Sequence, residues 1–111
     1  MLTSAMKHSF SKLELKRYRT AWSQQGAMKA MINWYRCIHL LNPEDQPKKM
    51  VEVPTLIVWG KQDPHLIWEM APESAAMCKD CRLEYLENAS HWVLQDEPEN
   101  TSKFLIEHLR D

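Results

Sequence analysis

The chain has 111 residues and a formal net charge of −1, and 44% of its residues are hydrophobic, which is enough to build the core of one small globular domain. Its two glycines are Gly26 and Gly60, so it cannot contain a glycine-rich phosphate loop, a dinucleotide-binding fingerprint or a G-x-S-x-G nucleophile elbow. Residues 1–50 carry nine Lys/Arg against three Asp/Glu, whereas residues 51–111 carry five against twelve. This asymmetry indicates two structural units.

The first half of the chain has the pattern of two helices joined by a short turn. Ser11 and Glu14 have capping-box spacing and precede an apolar stripe, which predicts a helix over residues 12–24. Gly26 ends that pattern, and a second apolar stripe predicts a helix over residues 27–39. The first half is therefore expected to form a helical hairpin.

Several absent signals limit the partners and the location of the protein. The basic residues of the first helix have the spacing of a solvated helix face, so we expect no nucleic-acid partner. The amino terminus lacks the apolar run of a signal peptide, and no segment is long enough to cross a bilayer. Three cysteines without a disulfide pattern fit a reducing compartment. We therefore expect a cytoplasmic protein without a membrane partner, a metal site or a cofactor.

The second half has the alternating pattern of a parallel α/β unit. A continuous apolar run over 55–59 predicts a buried strand, and 82–86 predicts a second one. Residues 66–79 are compatible with a helix, and Pro98 opens a predicted amphipathic helix that runs to Arg110. The residues of that helix expected to face inward are Phe104, Leu105 and Leu109.

The prolines and charges of residues 42–54 predict a linker between the two halves. We accordingly expect a helical unit over residues 1–41, this linker, and an α/β unit over residues 55–111. Two strands that are apolar on both faces cannot satisfy their edges or cover their faces alone. The α/β unit is therefore predicted to be the end of a larger sheet.

Two loops that directly follow the predicted strands carry the candidate catalytic residues, Asp63 and His91. Sites in open parallel sheets form at the carboxyl ends of strands. A carboxylate beside an imidazole fixes its tautomer, so that the second ring nitrogen can act as a general base. Taken singly, an Asp-Pro turn and a histidine beside a tryptophan are also ordinary structural features. The prediction of a catalytic pair therefore depends on the two loops together.

The segment from Asp63 to the carboxyl terminus resembles the end of the α/β-hydrolases. The acid precedes the histidine by 28 residues, and Gln95-Asp96-Glu97-Pro98 and an amphipathic helix follow, as in the family's order of nucleophile, acid and histidine. This resemblance implies an α/β fold class. The chain would be the C-terminal part of an α/β-hydrolase fold, with a helical hairpin from the cap followed by a β-α-β-α unit of the parallel sheet.

The first half resembles the end of the helical cap in bacterial epoxide hydrolases. The matching segments are Ala21-Trp-Ser-Gln-Gln-Gly26-Ala27 and Ile32-Asn-Trp-Tyr35-Arg36, although this chain has Gln25 where the family usually has Pro. The resemblance implies that Tyr35 donates a hydrogen bond to the epoxide oxygen. It also implies that Trp34 and Trp92 bind the substrate, a small molecule. The alternative from helical periodicity is that Trp34 and Tyr35 are packing aromatics.

In such enzymes an Asp carboxylate attacks the epoxide, and the His-Asp pair then activates water to hydrolyse the ester. Because no nucleophile motif occurs in this sequence, we expect a C-terminal fragment that is inactive by itself. A haloalkane or fluoroacetate dehalogenase and a serine esterase of the same fold remain alternative parents. A further alternative is a non-catalytic remnant or binding module, and exposed strand edges offer a route to self-association.

Overall fold

The computed structural model describes residues 9–40 and 50–110. These residues belong to two compact units. The helical unit contains residues 10–40, and the sheet unit contains residue 9 together with residues 50–110. Most of the predicted linker, residues 42–49, lies outside the described residues. None of the described helices is both long enough and apolar enough to cross a membrane.

The helical unit is a pair of short helices. Helix α1 spans Lys12–Trp22 and begins with the predicted capping box, in which Ser11 and Glu14 each accept from the other's backbone. Helix α2 spans Ala27–Cys37 and is followed by a 3-10 turn over Ile38–Leu40. Gly26 precedes α2 with a φ of 82°, a left-handed conformation that glycine adopts without steric cost. Both helices end two residues before the predicted limits because tighter turns replace their last residues.

The sheet unit has the predicted β-α-β-α order with parallel strands. Strand β1 spans Thr55–Gly60 and strand β2 spans Cys81–Leu86, and they pair in register from Thr55 opposite Cys81 to Gly60 opposite Leu86. Helix α3, Met70–Ala76, connects them. The one-turn helix α4, Val93–Asp96, and helix α5, Pro98–His108, follow β2. The sequence did not predict α4, because a four-residue helix is too short to show a periodic pattern.

Two details of the predicted helices are wrong. Helix α3 begins at Met70 and not near residue 66, since the residues after Asp63 form a turn around its side chain. In α5, Leu105 is 41% exposed and Leu109 is 81% exposed, whereas Thr101 is buried and Phe104 is partly buried. The inward stripe therefore begins at Thr101, and Leu109 lies beyond the last helical residue, where the helical period no longer applies.

The buried residues of the described segments gather around the carboxyl end of β2. The hydrophobic ones are Ala71, Leu86 and Ala89, and the polar ones are Ser90 and Thr101. In both strands every residue except the last is only partly buried. The best packed part of the sheet unit is thus the end of the strands, where the loops that carry Asp63 and His91 begin. Self-association through the strand edges stays a prediction.

Candidate active site

Asp63 lies in the loop after β1, with its side chain folded back on the following backbone. Its Oδ1 accepts hydrogen bonds from the N–H groups of His65, at 2.8 Å, and Leu66, at 3.1 Å. This arrangement is the Asx turn that aspartate forms readily in loops. The side chain is only 7% exposed, so the turn holds the carboxylate in one orientation and leaves Oδ2 for another partner.

His91 lies in the loop after β2, and backbone hydrogen bonds join this loop to the one that carries Asp63. The N–H of Lys61 donates to the carbonyl of Leu86 at 3.0 Å, and the N–H of Gln62 donates to the carbonyl of Ala89 at 2.9 Å. These bonds extend the pairing of β1 and β2 beyond the strands. The parallel register therefore fixes the separation of the two loops.

The two predicted residues meet, with His91 Nδ1 at 2.7 Å from Asp63 Oδ2. The imidazole is 43% exposed while the carboxylate is almost buried. Burial alone would raise the pKa of Asp63, but the hydrogen bonds from His91 and from the backbone of His65 and Leu66 hold it below its ordinary value. Asp63 is therefore a carboxylate that orients His91 through Nδ1. Nε2 is then available as a general base.

Gly60, the last residue of β1, lets the two loops approach. A Cβ atom placed on Gly60 would lie 2.2 Å from the carbonyl oxygen of Ser90 and 2.5 Å from that of Ala89. Both distances are far below van der Waals contact. Both oxygens are backbone atoms of the two residues that precede His91. Glycine is thus needed here for close packing of backbone against backbone.

Ser90 and Asp96 are neighbours of the site whose role the sequence analysis missed. Ser90 is 1% exposed, and both its N–H and its hydroxyl donate to Asp96 Oδ2, at 2.7 Å and 2.5 Å. The N–H of Trp92 donates to the Ser90 hydroxyl at 3.2 Å. A hydrogen bond between residues six apart has no periodic signature. The segment Gln95-Asp96-Glu97-Pro98, which contains Asp96, supported the family resemblance but did not predict this contact.

Two aromatic rings lie beside His91. The rings of His65 and Trp92 lie edge to face with it, with centroids 5.4 Å and 6.2 Å away. The structure thus brings together three of the five predicted site residues, Asp63, His91 and Trp92. Trp34 and Tyr35 lie on α2 in the helical unit, where they are 75% and 59% exposed. Their predicted roles stay predictions.

Residues 9–40 and 50–110 contain no group of three or more His, Cys, Asp or Glu side chains that could hold a metal ion. The thiols of Cys37, Cys78 and Cys81 are free. The contact between Asp63 and His91 supports the chemistry of an oriented imidazole, which takes up a proton at Nε2 while a carboxylate stabilises the resulting cation.

No protein-family profile matches the chain, but individual proteins do. Epoxide hydrolase 1 of Caenorhabditis elegans is 37% identical over 103 residues, which are 91% of this chain and 25% of that protein. Human monoacylglycerol lipase ABHD6 is 41% identical over 59 residues, which are 53% of this chain and 18% of that protein. Among solved structures, a mutant epoxide hydrolase from Bacillus megaterium matches with a TM-score of 0.79 and 22% identity, over 93% of this chain and 39% of that one.

The chain spans about a third or less of the length of the curated relatives that it matches. The alignment with epoxide hydrolase 1 spans 103 of the 111 residues and therefore takes in both units. The alignment with monoacylglycerol lipase ABHD6 spans 59 residues and is too short to contain both units in full. The structural match confirms the predicted fold, in which a helical segment precedes a β-α-β-α unit of a parallel sheet. The chain thus has the α/β-hydrolase fold, and over nearly its whole length it is similar to epoxide hydrolases.

Proposed function

We propose that this chain supplies the acid and the histidine of an active site that hydrolyses small epoxides to diols. The observation that carries the proposal is the 2.7 Å contact between His91 Nδ1 and Asp63 Oδ2 at the ends of two parallel strands. The 111 residues contain no nucleophile elbow. The proposed activity is therefore that of a longer protein that contains this segment, and the 111-residue chain alone is expected to be inactive.

In the proposed reaction, an Asp carboxylate outside this segment attacks an epoxide carbon, which forms an ester and breaks the ring C–O bond. His91 Nε2 then removes a proton from water as the water oxygen attacks the ester carbonyl. Asp63 stabilises the imidazolium that results. The tetrahedral intermediate collapses as the imidazolium gives its proton to the leaving alkoxide oxygen, which releases the diol. Loss of the second water proton from the carboxyl group regenerates the nucleophilic carboxylate and balances the proton taken up by the ring oxygen.

The ring oxygen needs a proton donor as its C–O bond breaks, and we assign this role to Tyr35. A phenol suits it because it is a neutral donor at pH 7. Trp34 and Trp92 are assigned to the walls of the substrate cleft, where large aromatic surfaces bury an apolar substituent. The exposure of Trp34 and Tyr35 on α2 supports these roles, because side chains packed within their own unit could not reach a ligand.

A chimaera tests the proposal, with this segment replacing the matching part of the Bacillus megaterium epoxide hydrolase. We expect the chimaera to convert styrene oxide to its diol, and His91→Ala to lower kcat by about 10²–10⁴-fold, the usual contribution of a general base. The ester should accumulate in that variant, visible as a protein mass increased by one substrate molecule. Tyr35→Phe should slow formation of the same ester.

The matched control is His108→Ala, which removes a histidine of α5 and should leave kcat unchanged. The unmodified 111-residue chain should give no diol above its own His91→Ala variant. A folded chimaera without diol formation would contradict the proposal. Turnover at the full rate after His91→Ala would contradict it as well.

Ester hydrolysis with a serine nucleophile is the second candidate, favoured by the 41% identity with monoacylglycerol lipase ABHD6. Dehalogenation is a third reaction that the same His-Asp pair could serve, although Tyr35 suits an epoxide oxygen better than a halide. Monoacylglycerol and haloalkane substrates in the chimaera assay distinguish the three. Fatty-acid or halide release that exceeds diol formation would reverse our ranking.

A further inference from the structure

The carboxylate of Asp96, at the end of α4, holds the residue that directly precedes His91. One of its oxygens, Oδ2, accepts both the N–H and the hydroxyl of Ser90. The other, Oδ1, accepts the hydroxyl of Ser9. Both oxygens are therefore engaged, and Oδ2 accepts from two donors of the residue that directly precedes His91.

The residue after His91 belongs to the same network. The N–H of Trp92 donates to the Ser90 hydroxyl, and the N–H of Asp96 donates to the carbonyl of Trp92 at 2.8 Å. Hydrogen bonds thus link residues 90, 92 and 96, and His91 lies between the first two. The carbonyl of Ser90 also lies close to Gly60.

We propose that Asp96 is a positioning residue for His91. Asp96 acts through Ser90, and it directs Nδ1 of His91 towards Asp63. This inference rests on the proposed function, since it deepens the account of the same site. The two residues that flank His91 have their backbone N–H groups directed into the Asp96–Ser90 network. The imidazole can therefore turn only about its own side-chain bonds, and one of the remaining orientations meets Asp63 Oδ2.

The N–H of Ser90 can only donate, so position 96 needs a side chain with an acceptor oxygen. The two oxygens of Asp96 accept from Ser90 on one side and from Ser9 on the other. An asparagine keeps one acceptor oxygen for Ser90, and its N–H groups can donate to the Ser9 hydroxyl, so it preserves the network. Asp96→Leu has a similar volume and no acceptor, and it therefore removes these hydrogen bonds without removing the volume.

The test measures the tautomer of His91 in the full 111-residue chain, labelled with ¹⁵N at histidine, by two-bond ¹H–¹⁵N correlation spectra near pH 8. The parent chain should show His91 protonated at Nδ1. Asp96→Leu should transfer roughly half or more of that signal to the Nε2–H form, because the ring loses its fixed orientation. Asp80→Leu is the matched control on an exposed aspartate, and it should leave the spectrum unchanged.

An unchanged Nδ1–H tautomer in folded Asp96→Leu would overturn the proposal. If that variant fails to fold, Ser90→Ala decides, because it removes the hydroxyl bond and keeps the N–H bond to Asp96. It should give a smaller transfer in the same direction, and no transfer would overturn the proposal. Since the readout needs no turnover, an inactive chimaera would refute the proposed function while this test still reports on Asp96.

Discussion

Gly60→Ala is a small change that should separate the two loops of the site. The added Cβ would meet the carbonyl oxygen of Ser90 at 2.2 Å, and a tolerable carbon–oxygen contact requires a shift of about 1 Å. The oxygen belongs to the backbone and cannot rotate away. We therefore expect the His91 loop to move outward by about that distance.

The shift is large compared with the hydrogen bond that it affects. His91 Nδ1 and Asp63 Oδ2 are 2.7 Å apart, and about 1 Å more would exceed the range of a hydrogen bond. Overpacking of this kind costs about 1–3 kcal/mol. The variant should thus lose both stability of the sheet unit and the Nδ1–H tautomer of His91.

Amide hydrogen exchange of β1 and β2 measures the stability of the sheet unit, and the ¹⁵N spectrum measures the tautomer. Gly26→Ala is the control, since a Cβ there meets nothing within 4 Å but is strained by the φ of 82°. That variant should cost about 1–2 kcal/mol in the helical unit and leave His91 unchanged. Gly60→Ala with parental exchange rates and an intact Nδ1–H signal would refute the packing argument.

Two further predictions concern the carboxylate of the pair and the start of α5. Because the pKa of Asp63 is lowered in the folded chain, its stabilising contribution is complete above its ordinary pKa of 3.8 and is lost as the pH falls through the lower folded value. Urea unfolding should therefore show parent and Asp63→Asn converging below that pH, and a difference independent of pH would exclude this linkage. Thr101 is buried, and the single hydrogen of its hydroxyl is shared between the carbonyls of Val93 and Glu97, at 3.1 Å and 2.8 Å from Oγ1. Thr101→Val should therefore cost about 0.5–1.5 kcal/mol. The exposed Ser102→Ala is its control in the same unfolding assay, and equal stabilities of the two variants would contradict the role of the hydroxyl.

The local elements of this protein could be read from its sequence because their signals come from near neighbours. Ser11 and Glu14 are three residues apart and form a capping box in any helix that begins there. The apolar run that ends at Gly60 needs no distant partner to indicate a strand buried in a parallel sheet. Where the prediction failed, at Leu105 and Leu109, the inward direction of α5 depended on packing contacts that its own periodicity does not specify.

The sequence by itself determined the order of the elements and named Asp63 and His91 as residues that follow successive strands. Only the tertiary structure decided that they touch, because residues 28 apart meet through the register of β1 against β2 and through the missing side chain of Gly60. The hydrogen bonds from Ser90 to Asp96 were also visible only in the structure. They depend on how the backbone turns between residues 90 and 96, which no spacing of residue types encodes.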